Sequence, residues 1–116
     1  MNKNAKWIAS PIDTGAAAVI LQTSFKCEKE IRKATLSVSA MGLYNAFLNG
    51  EKVGVAVLTP GWTAYDQRIQ YQSYDVTSLI LTENTLQIAL GNGWAVGHIA
   101  WREKVFAKRT AAIGAL

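Results

Sequence analysis

Apolar and polar residues alternate along most of this chain with a period of two. In "AVILQTSFKC", Val19, Leu21, Thr23 and Phe25 fall on one side, against Ile20, Gln22, Ser24 and Lys26 on the other. In "KATLSVSAMG", Ala34, Leu36, Val38 and Ala40 alternate with Thr35, Ser37 and Ser39. In "LQIALGNG" the expected buried set is Leu86, Ile88 and Leu90. A strand turns successive side chains to opposite faces, so this pattern predicts half-buried strands.

Turn chemistry points the same way. Asn49-Gly50 separates "LYNAFL" from "EKVGVAVL" and predicts a two-residue hairpin loop, whose central residues both need positive φ. Pro60-Gly61 marks a second turn. Asp75 and Thr77 are short polar residues that can satisfy free amides at the start of "SLIL", so one helical turn is expected there. Closely spaced strands with no long helical period predict a single all-β, antiparallel sandwich over residues 1–116. The closing "AAIGAL" is apolar throughout, as in or just after a strand. If a final strand were missing there, the open edge would recruit another chain. Self-association near Val105, Phe106, Ile113 and Leu116 is then expected.

Composition narrows the function classes. Half the residues are hydrophobic and 17% are charged, which is globular rather than disordered. No apolar run approaches the roughly 18–20 residues of a membrane span. The opening "MNKNAKWIASP" lacks the apolar centre of a secretory signal, so a cytoplasmic location is expected if Met1 is the natural start. Cys27 is the one cysteine, which rules out an internal disulfide. With His98 it makes only two soft ligands, too few for the usual zinc site. The formal charge of +4 is modest, and its basic residues are scattered, so no nucleic-acid partner is expected.

From Leu36 onward the order of motifs becomes specific. "ATLSVSAMGLYNAFLNGEKVG" is followed by "LTPGWTAYDQRIQYQSYDVTSLI" and then "NTLQIALGNGWAVG". The ordered set Gly-Trp-Thr-x-Tyr, Tyr-x-x-Tyr-Asp-Val-Thr and Leu-Gly-Asn-Gly-Trp resembles the N-terminal β-sandwich module of bacterial α-L-rhamnosidases. The resemblance runs from about Trp7 to Gly97 and is strongest from Gly42 to Gly97. It implies a jelly-roll-like, galactose-binding-domain-like accessory domain of a glycoside hydrolase. The family's catalytic carboxylates lie in a later (α/α) barrel, so the remainder of the parent rhamnosidase is the implied partner. Some related modules bind L-rhamnose with calcium at the site, which makes calcium the one cofactor the resemblance suggests. Two departures stand out: Ala95 takes a position where the family commonly has an aromatic, and the sequence stops before such a module would normally finish.

The sugar-binding candidates are Trp62, Tyr65, Asp66, Arg68, Asn92 and Trp94. Trp62 and Tyr65 flank the Pro-Gly turn, where a ring can stack on the apolar face of a pyranose or close the end of the sandwich. Asp66 and Arg68 are two apart, so on a strand they share a face, as a sugar-gripping pair or a surface ion pair. Gly91 and Gly93 allow a tight loop that presents Asn92 and Trp94, or one in which Trp94 plugs the sandwich. No Asp, Ser or Cys lies near His98 in sequence to make it catalytic. Glycoside hydrolysis usually needs two carboxyl groups flanking the bond, and Asp66/Asp75 is no convincing pair, so no catalytic residue is assigned.

Three functions follow: a non-catalytic rhamnosidase module that packs against the enzyme, a carbohydrate-binding module for L-rhamnose or a related sugar, and a stand-alone adhesion or assembly domain.

Overall fold

The computed structural model describes residues 2–15, 17–99, 102–103 and 106–116; for Ile99, Arg102 and Glu103 only the backbone is described. Val105, singled out in the sequence, lies outside the described residues.

The alternating segments become strands β1 (Val19–Lys26), β2 (Thr35–Met41), β3 (Leu43–Leu48), β4 (Glu51–Lys52), β5 (Gln72–Asp75), β6 (Glu83–Gly91), β7 (His98–Ile99), β8 (Arg102–Glu103) and β9 (Ala111–Ala115). All pairings are antiparallel. One sheet has the order β1-β6-β3-β4 and the other β5-β2-β9, while β7 and β8 form a small ribbon. This is the expected sandwich. Among the described residues, no helix is long and apolar enough to cross a membrane.

The core lies between the sheets. Leu36, Val38 and Ala40 of β2 meet Tyr44, Ala46 and Leu48 of β3, with Ile88 and Leu90 of β6 and Ala112 of β9. Fully burying a leucine contributes roughly 1.5–3 kcal/mol, so this small set dominates the folding energy. Leu86, expected inside with Ile88 and Leu90, is only half-buried, because it borders a groove beside β1. Ser39, expected on the polar side, is buried and donates its hydroxyl to the Gln70 carbonyl.

Two turns set the topology. Asn49 (φ 54°) and Gly50 (φ 84°) form the expected loop between β3 and β4, with Leu48 opposite Glu51. Gly42 alone separates β2 of one sheet from β3 of the other, with a φ of 121°. A Cβ there would drive into the Gly91 carbonyl oxygen, so the single-residue corner between the sheets requires glycine.

A 3₁₀ turn spans Thr77–Leu79 where one helical turn was expected. Asp75 Oδ1 accepts the Thr77 amide at 3.0 Å and its hydroxyl at 2.6 Å, and Thr77 Oγ1 accepts the Ala34 amide at 2.9 Å. The Asp75–Thr77 pair thus ties the turn to the approach of β2. These bonds hold the Asp75 carboxyl below the usual carboxylate range, the Thr77 hydroxyl acting most strongly.

Candidate functional site

The segment after β4 leaves the sheet but is pinned at several points. The Val53 amide donates to the Ala46 carbonyl at 2.8 Å, and the Tyr44 amide donates to the Thr59 carbonyl at 2.8 Å. Thr59 Oγ1 returns a bond to the Tyr44 carbonyl at 2.9 Å, and the following Thr59–Pro60 peptide is cis. Gln72 Nε2 donates to the Pro60 carbonyl at 3.3 Å. Between these anchors the loop turns apolar side chains outward: Val55 is 97% exposed, Val57 73%, Leu58 57% and Trp62 60%.

The four candidates in this loop separate. Trp62 faces solvent, whereas Tyr65 is buried. The Tyr65 hydroxyl donates to the Gly61 carbonyl at 3.2 Å, and its ring lies 5.2 Å from that of Phe106. Burial pushes the Tyr65 hydroxyl pKa up. Of the two aromatic readings, packing therefore describes Tyr65.

Asp66 and Arg68 do not share a strand face, which corrects the sequence expectation. Residues 65–67 form a turn, closed by the Gln67 and Arg68 amides, both donating to the Ala64 carbonyl at 2.9 Å. Bringing Tyr65 inward against Phe106 requires the backbone to bend here rather than extend. Arg68 Nε donates instead to Thr63 Oγ1 at 3.3 Å. Among the described residues the recorded salt bridge is Lys26–Glu83 at 3.6 Å, so Asp66 and Arg68 are not an ion pair.

The glycine-rich stretch, expected as a tight loop, forms a single helical turn, α1 (Gly93–Val96). Gly93 has a φ of 53°, and a Cβ on it would meet Leu43 Cγ at 2.6 Å, directly beside Gly42. The Gly-Leu-Tyr step and the Leu-Gly-Asn-Gly-Trp motif are thus two halves of one close backbone contact. Asn92 and Trp94 are half-buried. Asn92 borders a small recess of about 30 Å³ together with Asp13 and Arg109.

Ala95 is fully buried, and its carbonyl accepts the amides of Phe106 and Ala107, each at 3.0 Å. Phe106 therefore joins the two candidate segments, with its backbone on Ala95 and its ring on Tyr65. The sequence offered no signal for this role: Phe106 was expected near an open C-terminal edge, but it turns towards Tyr65. Its amide bond to the Ala95 carbonyl, eleven residues back in the chain, holds it there.

Among the described residues, no three of His, Cys, Asp and Glu gather where they could hold a metal ion. The chemistry available at Trp62, Thr63 and Arg68 is stacking and hydrogen bonding.

Residues 29–116 match the family described as the α-L-rhamnosidase N-terminal domain. The chain is 41% identical over 101 residues to an α-L-rhamnosidase of Streptomyces avermitilis, a match covering 82% of this chain and 10% of that enzyme. It is 42% identical over 89 residues to one from an Alteromonas species, covering 75% of this chain and 10% of that enzyme. Among solved structures, the native α-L-rhamnosidase of Aspergillus terreus superposes with a TM-score of 0.88 at 28% identity, covering 97% of this chain and 14% of that one. The Streptomyces avermitilis α-L-rhamnosidase complexed with L-rhamnose gives 0.80 at 38% identity, covering 85% of this chain and 10% of that one. The chain thus spans about a tenth of the length of the curated relatives it matches. With the matched sequence and the two-sheet fold in agreement, this chain belongs to the α-L-rhamnosidase N-terminal domain family.

Proposed function

We propose that the chain is a non-catalytic module of an α-L-rhamnosidase, packing against the rest of that enzyme and supporting the domain that hydrolyses terminal α-L-rhamnosides. The observation that supports this best is the loop carrying exposed Val55, Val57, Leu58 and Trp62 between fixed anchors. Contiguous exposed apolar residues on a pinned loop suit burial against another protein surface.

The test places this chain in the Streptomyces avermitilis enzyme in place of the matching region. The hybrid is expected to hydrolyse an aryl rhamnoside, while the isolated chain does not. Val55→Asp with Val57→Asp should lower the hybrid's thermal midpoint and leave that of the isolated chain nearly unchanged. Turnover by the isolated chain that disappears in Asp66→Asn or Asp75→Asn would overturn the reading.

A second reading, sugar recognition, is favoured by one observation: Trp62 is exposed, and Thr63, next to it in sequence, accepts a hydrogen bond from Arg68 Nε. A monosaccharide offers few atoms, so binding would be weak. Titration of tryptophan fluorescence with L-rhamnose, with and without calcium, tests it. A response lost in Trp62→Ala but kept in Trp94→Ala supports a site at Trp62; no response in the parent chain removes this reading.

A further inference from the structure

Trp62 is exposed, yet the chain on either side of it is not: Pro60, Thr63 and Tyr65 are all buried. Both carbonyls that precede Trp62 accept side-chain hydrogen bonds. Gln72 Nε2 donates to that of Pro60 at 3.3 Å, and the Tyr65 hydroxyl donates to that of Gly61 at 3.2 Å. The indole therefore leaves a short run of backbone that is held by side chains from later in the chain.

Both donors are themselves oriented. Gln72 shares a face of β5 with Tyr74, two residues on, and both reach the Tyr44 hydroxyl of the other sheet. That hydroxyl donates to Gln72 Oε1 at 2.8 Å. A carbonyl can only accept, so the Pro60 oxygen needs the amide nitrogen on its side, which leaves Oε1 for Tyr44. The Gln72 side chain thus joins both sheets to the loop. The Tyr65 ring is fixed in turn against that of Phe106, 5.2 Å away. An exposed tryptophan on a backbone set in this way has little ordering cost left to meet when another surface covers it, and tryptophan is enriched among the residues that dominate interfaces.

We propose that Gln72 is a positioning residue, with the Tyr65 hydroxyl as its second point: together they set the Pro60–Gly61 backbone so that Trp62 is presented as a preformed anchor for the rest of the parent rhamnosidase. This rests on the reading of the chain as a module that packs through the loop carrying Val55, Val57, Leu58 and Trp62. Gln72 is half-buried among Tyr44, Tyr74 and Pro60, so it acts through Trp62 rather than by a contact of its own.

The test has two arms. Gln72→Glu keeps an acceptor for Tyr44 and loses the donor to Pro60, while Tyr65→Phe keeps the ring and loses the donor to Gly61. In the isolated chain, the backbone order parameters of Gly61 and Trp62 from nitrogen relaxation are expected to fall from about 0.85 to below about 0.6 in each variant, with β2 and β5 unchanged. Values that stay high in both variants, or that fall along β2 and β5 as well, would overturn the inference. If Gln72→Glu fails to fold, Tyr65→Phe carries the measurement. In the Streptomyces avermitilis hybrid, Trp62→Ala is expected to lower the thermal midpoint, and to lower it no further once Gln72→Glu is present. Additive losses would overturn the positioning role and leave the module reading standing. No loss from Trp62→Ala would overturn it too, and Val55→Asp with Val57→Asp then decides the module reading by itself.

Discussion

The ring of Tyr65 lies 5.2 Å from the ring of Phe106, centroid to centroid, at an interplanar angle of 52°. A tilted pair at this separation is attractive beyond the area it buries, by about 0.5–1.5 kcal/mol. A double-mutant cycle of Tyr65→Leu and Phe106→Leu should return a coupling energy in that range, measured by urea unfolding. Independent effects would show that the contact merely accompanies the fold. Since the Phe106 amide also bonds to Ala95, Phe106→Leu should leave the α1 turn in place.

Behind the β3–β4 hairpin, Asn49 Nδ2 donates to Asn84 Oδ1 at 2.9 Å and to the Leu79 carbonyl at 2.7 Å, while Asn49 Oδ1 accepts the Thr85 amide at 2.9 Å. Asn84 Oδ1 also accepts the Leu81 amide at 2.8 Å, and its Nδ2 donates to the Leu81 carbonyl at 2.6 Å. Asn84 is buried, so Asn84→Ala strands several of these partners. An expected loss of about 1–3 kcal/mol follows from leaving buried polar groups unsatisfied. A change under about 0.5 kcal/mol in chemical denaturation, the range of an ordinary surface substitution, would argue that water replaces the side chain.

Tyr44 is buried, and its hydroxyl donates to Gln72 Oε1 at 2.8 Å and lies 3.0 Å from the Tyr74 hydroxyl. Desolvation, first, and then the Tyr74 hydroxyl raise its pKa well above the ordinary tyrosine value. Below the unfolded value of about 10, both states keep the proton and stability does not depend on this group. Above it the unfolded chain ionises first, so stability falls as pH rises. Tyr44→Phe should be less stable than the parent at neutral pH, by about 1 kcal/mol for the lost hydrogen bonds. It should also lose less stability between about pH 9 and 11. Parallel alkaline profiles for the two proteins would refute the assignment.

Gly42 offers a sharper mutational test. Gly42→Ala places a methyl group against the Gly91 carbonyl oxygen at a φ of 121°, a conformation that L residues rarely adopt. The expected cost is about 2–4 kcal/mol, from backbone strain plus the clash. Gly50→Ala is the control: its φ is also positive, but nothing lies within 4 Å of the added carbon, so its cost should be smaller. Equal losses at the two positions, read as thermal midpoints, would mean that the sheet-to-sheet contact at Gly42 adds nothing.

Much of the fold was legible because strand periodicity is a local property. Val38 and Ala40 are buried while Thr35 is exposed, since the backbone itself turns alternate side chains to opposite faces. Asn49-Gly50 and Asp75–Thr77 were legible for the same reason: each acts within a few residues of itself. The ordered motifs carried the family. What the chain could not disclose from local pattern was the fate of side chains in the irregular loop. Trp62 and Tyr65 are near neighbours of similar character, yet one faces water and the other is buried. The difference depends on Phe106, far along the chain, whose ring packs against Tyr65 while its amide is held by the Ala95 carbonyl. Asp66 and Arg68 followed that decision, because the backbone must turn after Tyr65 enters the interior. Period two governs side chains only where a ladder holds the backbone extended; outside it, packing against distant residues chooses which groups reach the surface.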